Sequence, residues 1–163
     1  MKNVINRKGY SLVELLVIMS IIAILSGLAT INLIHSQRGA TLQSTLLTFI
    51  ADTKQQQMKA MQGDTEGRSY PDYYGIHFTQ NSYVLFHGTT YNSSDSANFT
   101  ISLDSNLQFN PINLTNNNII FIPLNGEVYG YSSAANSVSL LDITNKQNKT
   151  LKFNYLGVMA GIN

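Results

Sequence analysis

The chain has 163 residues, of which 44 % are hydrophobic and only 12 % charged; one ordinary domain with a real core fits, and wholesale disorder does not. It contains no Cys, which excludes disulfides, thiol nucleophiles and cysteine-held metals. The formal net charge of +1 hides a segregation: Lys2, Arg7 and Lys8 precede residue 10, whereas the chain from His35 onward holds seven Lys/Arg against eight Asp/Glu. The surface beyond is therefore solvated mainly by neutral Asn, Ser, Thr and Gln.

From Leu15 to Ile34 twenty residues run without a charged side chain, LLVIMSIIAILSGLATINLI. At 1.5 Å per helical residue that length matches a hydrocarbon layer of roughly 30 Å, and the run is apolar on every face, as a buried core helix seldom is. The sequence predicts a membrane span over 15–34. Lys2, Arg7 and Lys8 stay cytoplasmic by the positive-inside rule, which places the rest of the chain outside.

Two features depart from an ordinary anchor. Glu14 stands at the edge of the apolar run, where a carboxylate costs up to about 2.5–3.5 kcal/mol at a helix centre and less near the interface, and so calls for a partner. Gly9 separates the basic leader from the apolar segment, whereas a secretory signal is cut after its apolar segment.

In this order of parts, Arg7-Lys8-Gly9-Tyr10-Ser11-Leu12-Val13-Glu14-Leu15-Leu16, the sequence resembles the type IV prepilin family: a short basic leader ending in Gly, an aromatic residue, a spaced Glu and a long apolar helix. The resemblance implies a prepilin peptidase that cuts between Gly9 and Tyr10 and methylates the new amino group of Tyr10. It further implies assembly, with Glu14 as the residue that sets register. The physical reason is independent of the family. Cleavage creates an ammonium at Tyr10 that a neighbouring subunit, shifted along the filament axis, sets beside Glu14, so that two poorly solvated charges neutralise each other.

Beyond the span the helical pattern continues to about residue 62. Leu42, Leu46, Phe49, Ile50 and Met61 recur at helical spacings among Gln37, Gln43, Gln55 and Gln56, giving one apolar face that receives a sheet from the same chain. Gly63-Asp64 and Gly67 supply the stop, and Pro71 ends any continuation.

After Gly63 short β-type runs alternate with Asn, Ser, Gly and Asp clusters, the texture of an antiparallel sheet. Tyr74–Thr79 and Ser82–His87 read as a hairpin turning at Gln80-Asn81, with Phe78 opposite Tyr83 and Ile76 opposite Leu85. That register puts His77 and His87 on opposite faces, so they cannot share a metal, and neither a metal site nor a cofactor is expected. Asn125-Gly126 predicts a second hairpin between Ile119–Leu124 and Glu127–Tyr131. Val138–Ile143 and Thr150–Tyr155 form a third pair around the loop 144–149, with Leu140-Leu141 marking a bulge. Tyr91–Asn98 and Asn113–Asn118 read as exposed loops, the places for contacts specific to this protein.

The expected fold is α+β: a basic leader 1–9, a helix 10–62 that is transmembrane over 15–34 and amphipathic beyond, and an extracytoplasmic β-rich domain 63–163 of five to eight strands. A long helix, a hairpin opening Tyr-Gly-Ile-His-Phe and a strand ending Tyr155-Leu156-Gly157 look like the minor pseudopilins of type II secretion and related minor pilins. By that resemblance the chain is a structural subunit, a minor one rather than a bulk one, of a pilus or pseudopilus in a cell (inner) membrane. Its implied partners are other pilin subunits, prepilin peptidase, membrane lipid along 15–34 and the filament assembly machinery. No nucleophile elbow, phosphate loop or zinc motif is present, so enzymatic activity is not expected. Two rivals remain. A secreted β-domain would be cut after Ala29 in Gly27-Leu28-Ala29, leaving Gly9 and Glu14 unexplained. A competence pilin that captures DNA needs a basic groove, for which Lys146, Lys149 and Lys152 are the only local group; nucleic acid is not the expected partner.

Overall fold

The computed structural model describes residues 12–157 and 159–162, with backbone alone for 27–40 and 159–162. It has an α+β fold: helix α1 (Leu12–Gln62), then eight strands, β1 (Tyr74–Phe78), β2 (Ser82–His87), β3 (Phe99–Ser102), β4 (Leu107–Leu114), β5 (Asn118–Phe121), β6 (Asn136–Asp142), β7 (Gln147–Phe153) and β8 (Met159–Ile162). Two compact units divide the chain, Met1–Gly39 and Ala40–Asn163.

In the second unit, α1 lays Leu42, Leu46, Phe49, Thr53, Gln56 and Ala60 into the core. These positions step by three and four, so they share one helix face. Thr53 fits this stripe because its Oγ1 donates back to the Phe49 carbonyl at 2.8 Å, which satisfies the hydroxyl without a tertiary partner. Met61, expected on the same face, is instead 50 % exposed, and Ala60 takes the buried place at the narrowing end of the stripe. The helix stops where the glycine signal predicts. Gly63, at φ +66°, donates its N–H to the Ala60 carbonyl, and Asp64 donates to that of Lys59, both at 2.9 Å. This pair of bonds is the Schellman arrangement, which needs a left-handed residue and so favours Gly.

The strands form two antiparallel sheets of four, in the orders β3-β2-β1-β5 and β4-β6-β7-β8, where the pattern suggested one. The β1–β2 register is the anticipated one, with Phe78 opposite Tyr83 and Ile76 opposite Leu85. Thr79 closes the turn through its hydroxyl, 3.1 Å from the Ser82 amide. The tip of this hairpin also joins the sheets: the carbonyls of Asn81 and Gln80 accept the amides of Leu103 and Phe109, at 2.9 and 2.8 Å.

Four rings seal the junction of helix and sheets. Phe49 meets Phe78, Tyr83 and Phe109 edge to face, with centroids 5.5, 5.4 and 5.9 Å away. Such pairs add roughly 0.5–1.5 kcal/mol each beyond area burial. The Tyr83 hydroxyl donates to Asp52 on the same helix, and burial together with that carboxylate holds its pKa far above the usual phenol range.

Three local expectations are corrected. Asn125-Gly126 turns the chain and the two arms meet, Ile122 donating to the Glu127 carbonyl at 2.9 Å and Tyr129 to that of Ile120 at 2.8 Å around the Phe121–Val128 bridge, but without the two-residue turn or a second regular strand. Leu124, which a two-residue turn would pair with Glu127, instead donates its amide to Ala60 at the helix end at 2.8 Å, so the turn is wider than the Asn-Gly pair alone predicts. The bulge is not at Leu140-Leu141, which pair without interruption with Lys149 and Asn148. It lies in β4 between Phe109 and Ile112, where Pro111 lacks a ladder donor. The segment 113–118 is not wholly loop, since Asn113 and Leu114 belong to β4 and only Thr115–Asn117 form a 3-10 turn. The third pairing holds with a shorter connection: β7 starts at Gln147, and buried Asp142 caps the turn by accepting the amides of Thr144 and Asn145 at 2.9 and 3.0 Å.

Candidate functional site

Among the described residues, the N-terminal part of α1 carries the longest run of exposed apolar side chains. Eleven large apolar side chains between Leu12 and Leu25 are 45–81 % exposed, and Glu14, in the first helical turn, is the only charged residue among 12–26. Soluble monomers rarely expose more than a few hundred Å² of contiguous apolar surface. Covering such a surface is favourable by roughly 25 cal/mol per Å². Lipid or partner helices are the media that do so. Ser20 is adapted to either, because its Oγ donates to the Leu16 carbonyl at 2.9 Å, leaving no donor in need of water.

Among the described residues no helix is long and apolar enough to cross a membrane. The span expected over 15–34 runs on past Ser26, so its second part, 27–34, falls where only backbone is described. The basic residues Lys2, Arg7 and Lys8 and the processing pair Gly9 and Tyr10 also lie outside the described residues. Glu14 is within them, on the exposed helix surface, and it has an interaction of its own.

The prokaryotic N-terminal methylation motif family matches residues 5–30. The N-terminus is of the prepilin type. No match was found among curated proteins or among solved structures. The prepilin-type segment supports a type IV pilin-like, structural protein rather than an enzyme. It covers Gly9, Tyr10, Glu14 and most of the exposed apolar helix, and with the α+β domain behind it the chain has a pilin-like build.

The polar residues singled out elsewhere are dispersed. His77 and His87 fall on opposite faces of the β1–β2 hairpin. His77 Nδ1 lies 2.6 Å from Asn118 Oδ1, and its ring stacks on Tyr91 with centroids 4.0 Å apart. His87 bridges two carboxylates, Nδ1 to Asp72 at 2.8 Å and Nε2 to Asp95 at 3.1 Å, which ties the β2–β3 loop to the segment before β1. Among the described residues no group of three or more His, Asp or Glu is placed to hold a metal ion. Lys149 and Lys152 pair with Leu140 and Ser137, three residues apart on β7 and so on opposite faces of it. Lys146 sits in the preceding turn at φ +55°. The three lysines do not form one basic strip.

Spacing along the chain did not reveal that the loops 89–91, 115–118 and 129–136 converge on one cleft. The αL conformations of Asn116 and Asn117, φ +53° and +57°, are the trace of it that an Asn-rich run carries, because Asn tolerates that region better than most residues.

Proposed function

We propose that this chain is a minor structural subunit of a type IV pilus or type II secretion pseudopilus. A prepilin peptidase cuts it between Gly9 and Tyr10 and methylates the Tyr10 amine. The chain is held in the inner membrane by one helix and recruited by the assembly machinery, with its β-rich domain extracytoplasmic. The observation that carries this reading is the coincidence of the methylation motif over 5–30 with an exposed apolar helix whose only charge over 12–26 is Glu14. In the assembled filament the ammonium of Tyr10 on one subunit neutralises Glu14 on its neighbour, and removing either leaves the other uncompensated at a cost of several kcal/mol in a dry setting.

Intact-mass analysis of protein from membranes tests the processing step: a methylated N-terminus at Tyr10 is expected, and one at Thr30 overturns it in favour of secretion. Glu14→Ala then separates the two roles of the helix. The variant inserts as well as the parent, since the segment is more apolar, but is lost from sheared filaments. Undiminished incorporation refutes the pairing role.

A further inference from the structure

A cleft of about 330 Å³ opens between the two sheets, walled by β1, β5 and the ends of β4 and β6 together with three loops. Its size lies within the roughly 300–1,000 Å³ of small-ligand sites. One wall is the stacked pair His77 and Tyr91, whose ring planes differ by only 7°, with Phe86 against the edge of Tyr91 at 5.5 Å. On the lining beside them lie Tyr129 and Tyr131, 48 % and 37 % exposed. Tyr129 is braced edge-on by Tyr73 at 5.3 Å, so its ring is positioned without being covered.

The chemistry of the lining narrows what can bind. None of the residues that line the cleft is Lys, Arg, Asp or Glu. A phosphate, carboxylate or ammonium therefore finds no counter-charge, and a nucleotide loses the term that dominates nucleic-acid affinity. The polar groups are amides, hydroxyls and the His77 ring, whose Nδ1 is already held 2.6 Å from Asn118 Oδ1. Asn136 is committed, donating to the Phe153 carbonyl at 3.1 Å. Asn116 and the hydroxyls of Thr89, Thr90, Thr115 and Ser132 make no side-chain hydrogen bond among the described residues. A purely apolar ligand would cover these groups and leave them unmatched, at about 1–3 kcal/mol for each one buried. Strand addition by a peptide is also closed off here: the free side of β5 is already taken, since Tyr129 donates to the Ile120 carbonyl at 2.8 Å and Val128 bridges Phe121.

We infer that this cleft is a binding site for a neutral saccharide. A pyranose has the matching composition: a flat C–H-rich face to lie on an exposed tyrosine ring, hydroxyls around its edge for uncommitted amide and hydroxyl groups, and no charge. The volume suits a mono- or disaccharide unit, such as the terminal part of a surface glycan. The inference does not rest on the filament reading, because every lining residue belongs to the unit Ala40–Asn163.

The test uses the full chain in a detergent that lacks a sugar headgroup. Saturation-transfer NMR and amide shift titrations are run with glucose, galactose, mannose, N-acetylglucosamine and their β-linked disaccharides. Saturable binding is expected for at least one of them, with shifts at Tyr91, Asn116 and Tyr129. Asn116→Gly, which removes an exposed amide and no hydrogen bond and suits the left-handed backbone at φ +53°, is expected to weaken it about tenfold, the loss of one good hydrogen bond. Tyr129→Ala weakens it at least as much, while the melting temperature of Asn116→Gly stays close to the parent value. No saturable binding below about 50 mM for any sugar overturns the assignment. So does binding as tight as the parent's by both variants, or preferential binding of a neutral peptide in the same cleft.

Discussion

The two ends of helix α1 answer to different surroundings, although both are rich in Leu and Ile. Over residues 42–60 the apolar positions form a stripe that the chain's own sheets cover, and Phe49 is only 1 % exposed. Over residues 12–26 the apolar positions go all round, and Leu12 to Leu25 have no cover from their own unit. Periodicity thus reports what surrounds a helix: a period of 3.6 says that one side is met by protein and the other by water, and loss of the period says that every side meets an apolar medium.

The sharpest way to break this contrast is to remove one side of it. Deleting residues 1–39 is expected to leave a soluble, cooperatively folding domain, because the core residues from Leu42 to Phe153 are all retained. A fragment that stays aggregated, or melts without a cooperative transition in circular dichroism, shows that the two regions are not separable. Next in size is a paired substitution read by urea denaturation of the domain and of the full chain. Phe49→Ala should cost about 3–5 kcal/mol, as for a large ring removed from a packed core. Leu16→Ala should change domain stability by less than about 0.5 kcal/mol. Similar losses for the two would erase the distinction.

A smaller effect sharpens the point at the helix end. The Tyr74 hydroxyl donates to the Asp64 carbonyl at 2.9 Å and accepts from Arg68 at 3.0 Å. Burial first, then the carboxylates of Glu66 and Asp64, push its pKa up to about 12 from 10.0. A raised folded-state value means that the folded chain binds more protons between those limits. The contribution is complete below pH 10 and is lost as pH rises toward 12. Urea midpoints should therefore fall between pH 9 and pH 11, and fall less in Tyr74→Phe. An identical decline in both proteins would assign the loss to other groups, Tyr83 first, whose phenol is raised further.

What the sequence made legible was local. The β1–β2 register followed from alternation on both sides of a two-residue turn, and the helix end from Gly63-Asp64, because in each case the deciding bonds join neighbours. Asn125-Gly126 misled about the turn because the Leu124 amide beside it is spent on Ala60, a partner that no short window contains. β3 escaped notice as an exposed edge strand, with Phe99 65 % exposed, and β4 because Pro111 interrupts it. At the N-terminus the methylation motif was readable, since it lies within one short stretch of chain, 5–30. The cleft was not, because separate stretches of chain build it and only the fold brings Tyr91, Asn116 and Tyr129 together.

Gln57 carries a consequence for kinetics. Its Nε2 donates to the carbonyls of Gly126 at 3.0 Å and Leu156 at 2.7 Å, 69 and 99 residues away in sequence. Added Cβ atoms at Gly126 and Gly157 would meet Met61 and Gln57 at 2.3 and 2.6 Å, so both loops must seat closely before the amide can reach them. Contacts of such separation are closed late, after the loop entropy between them has been overcome. Contacts absent from the folding transition state act on the unfolding rate rather than the folding rate. Gln57→Ala is therefore expected to speed unfolding more than it slows refolding, a split that stopped-flow kinetics in urea reads directly.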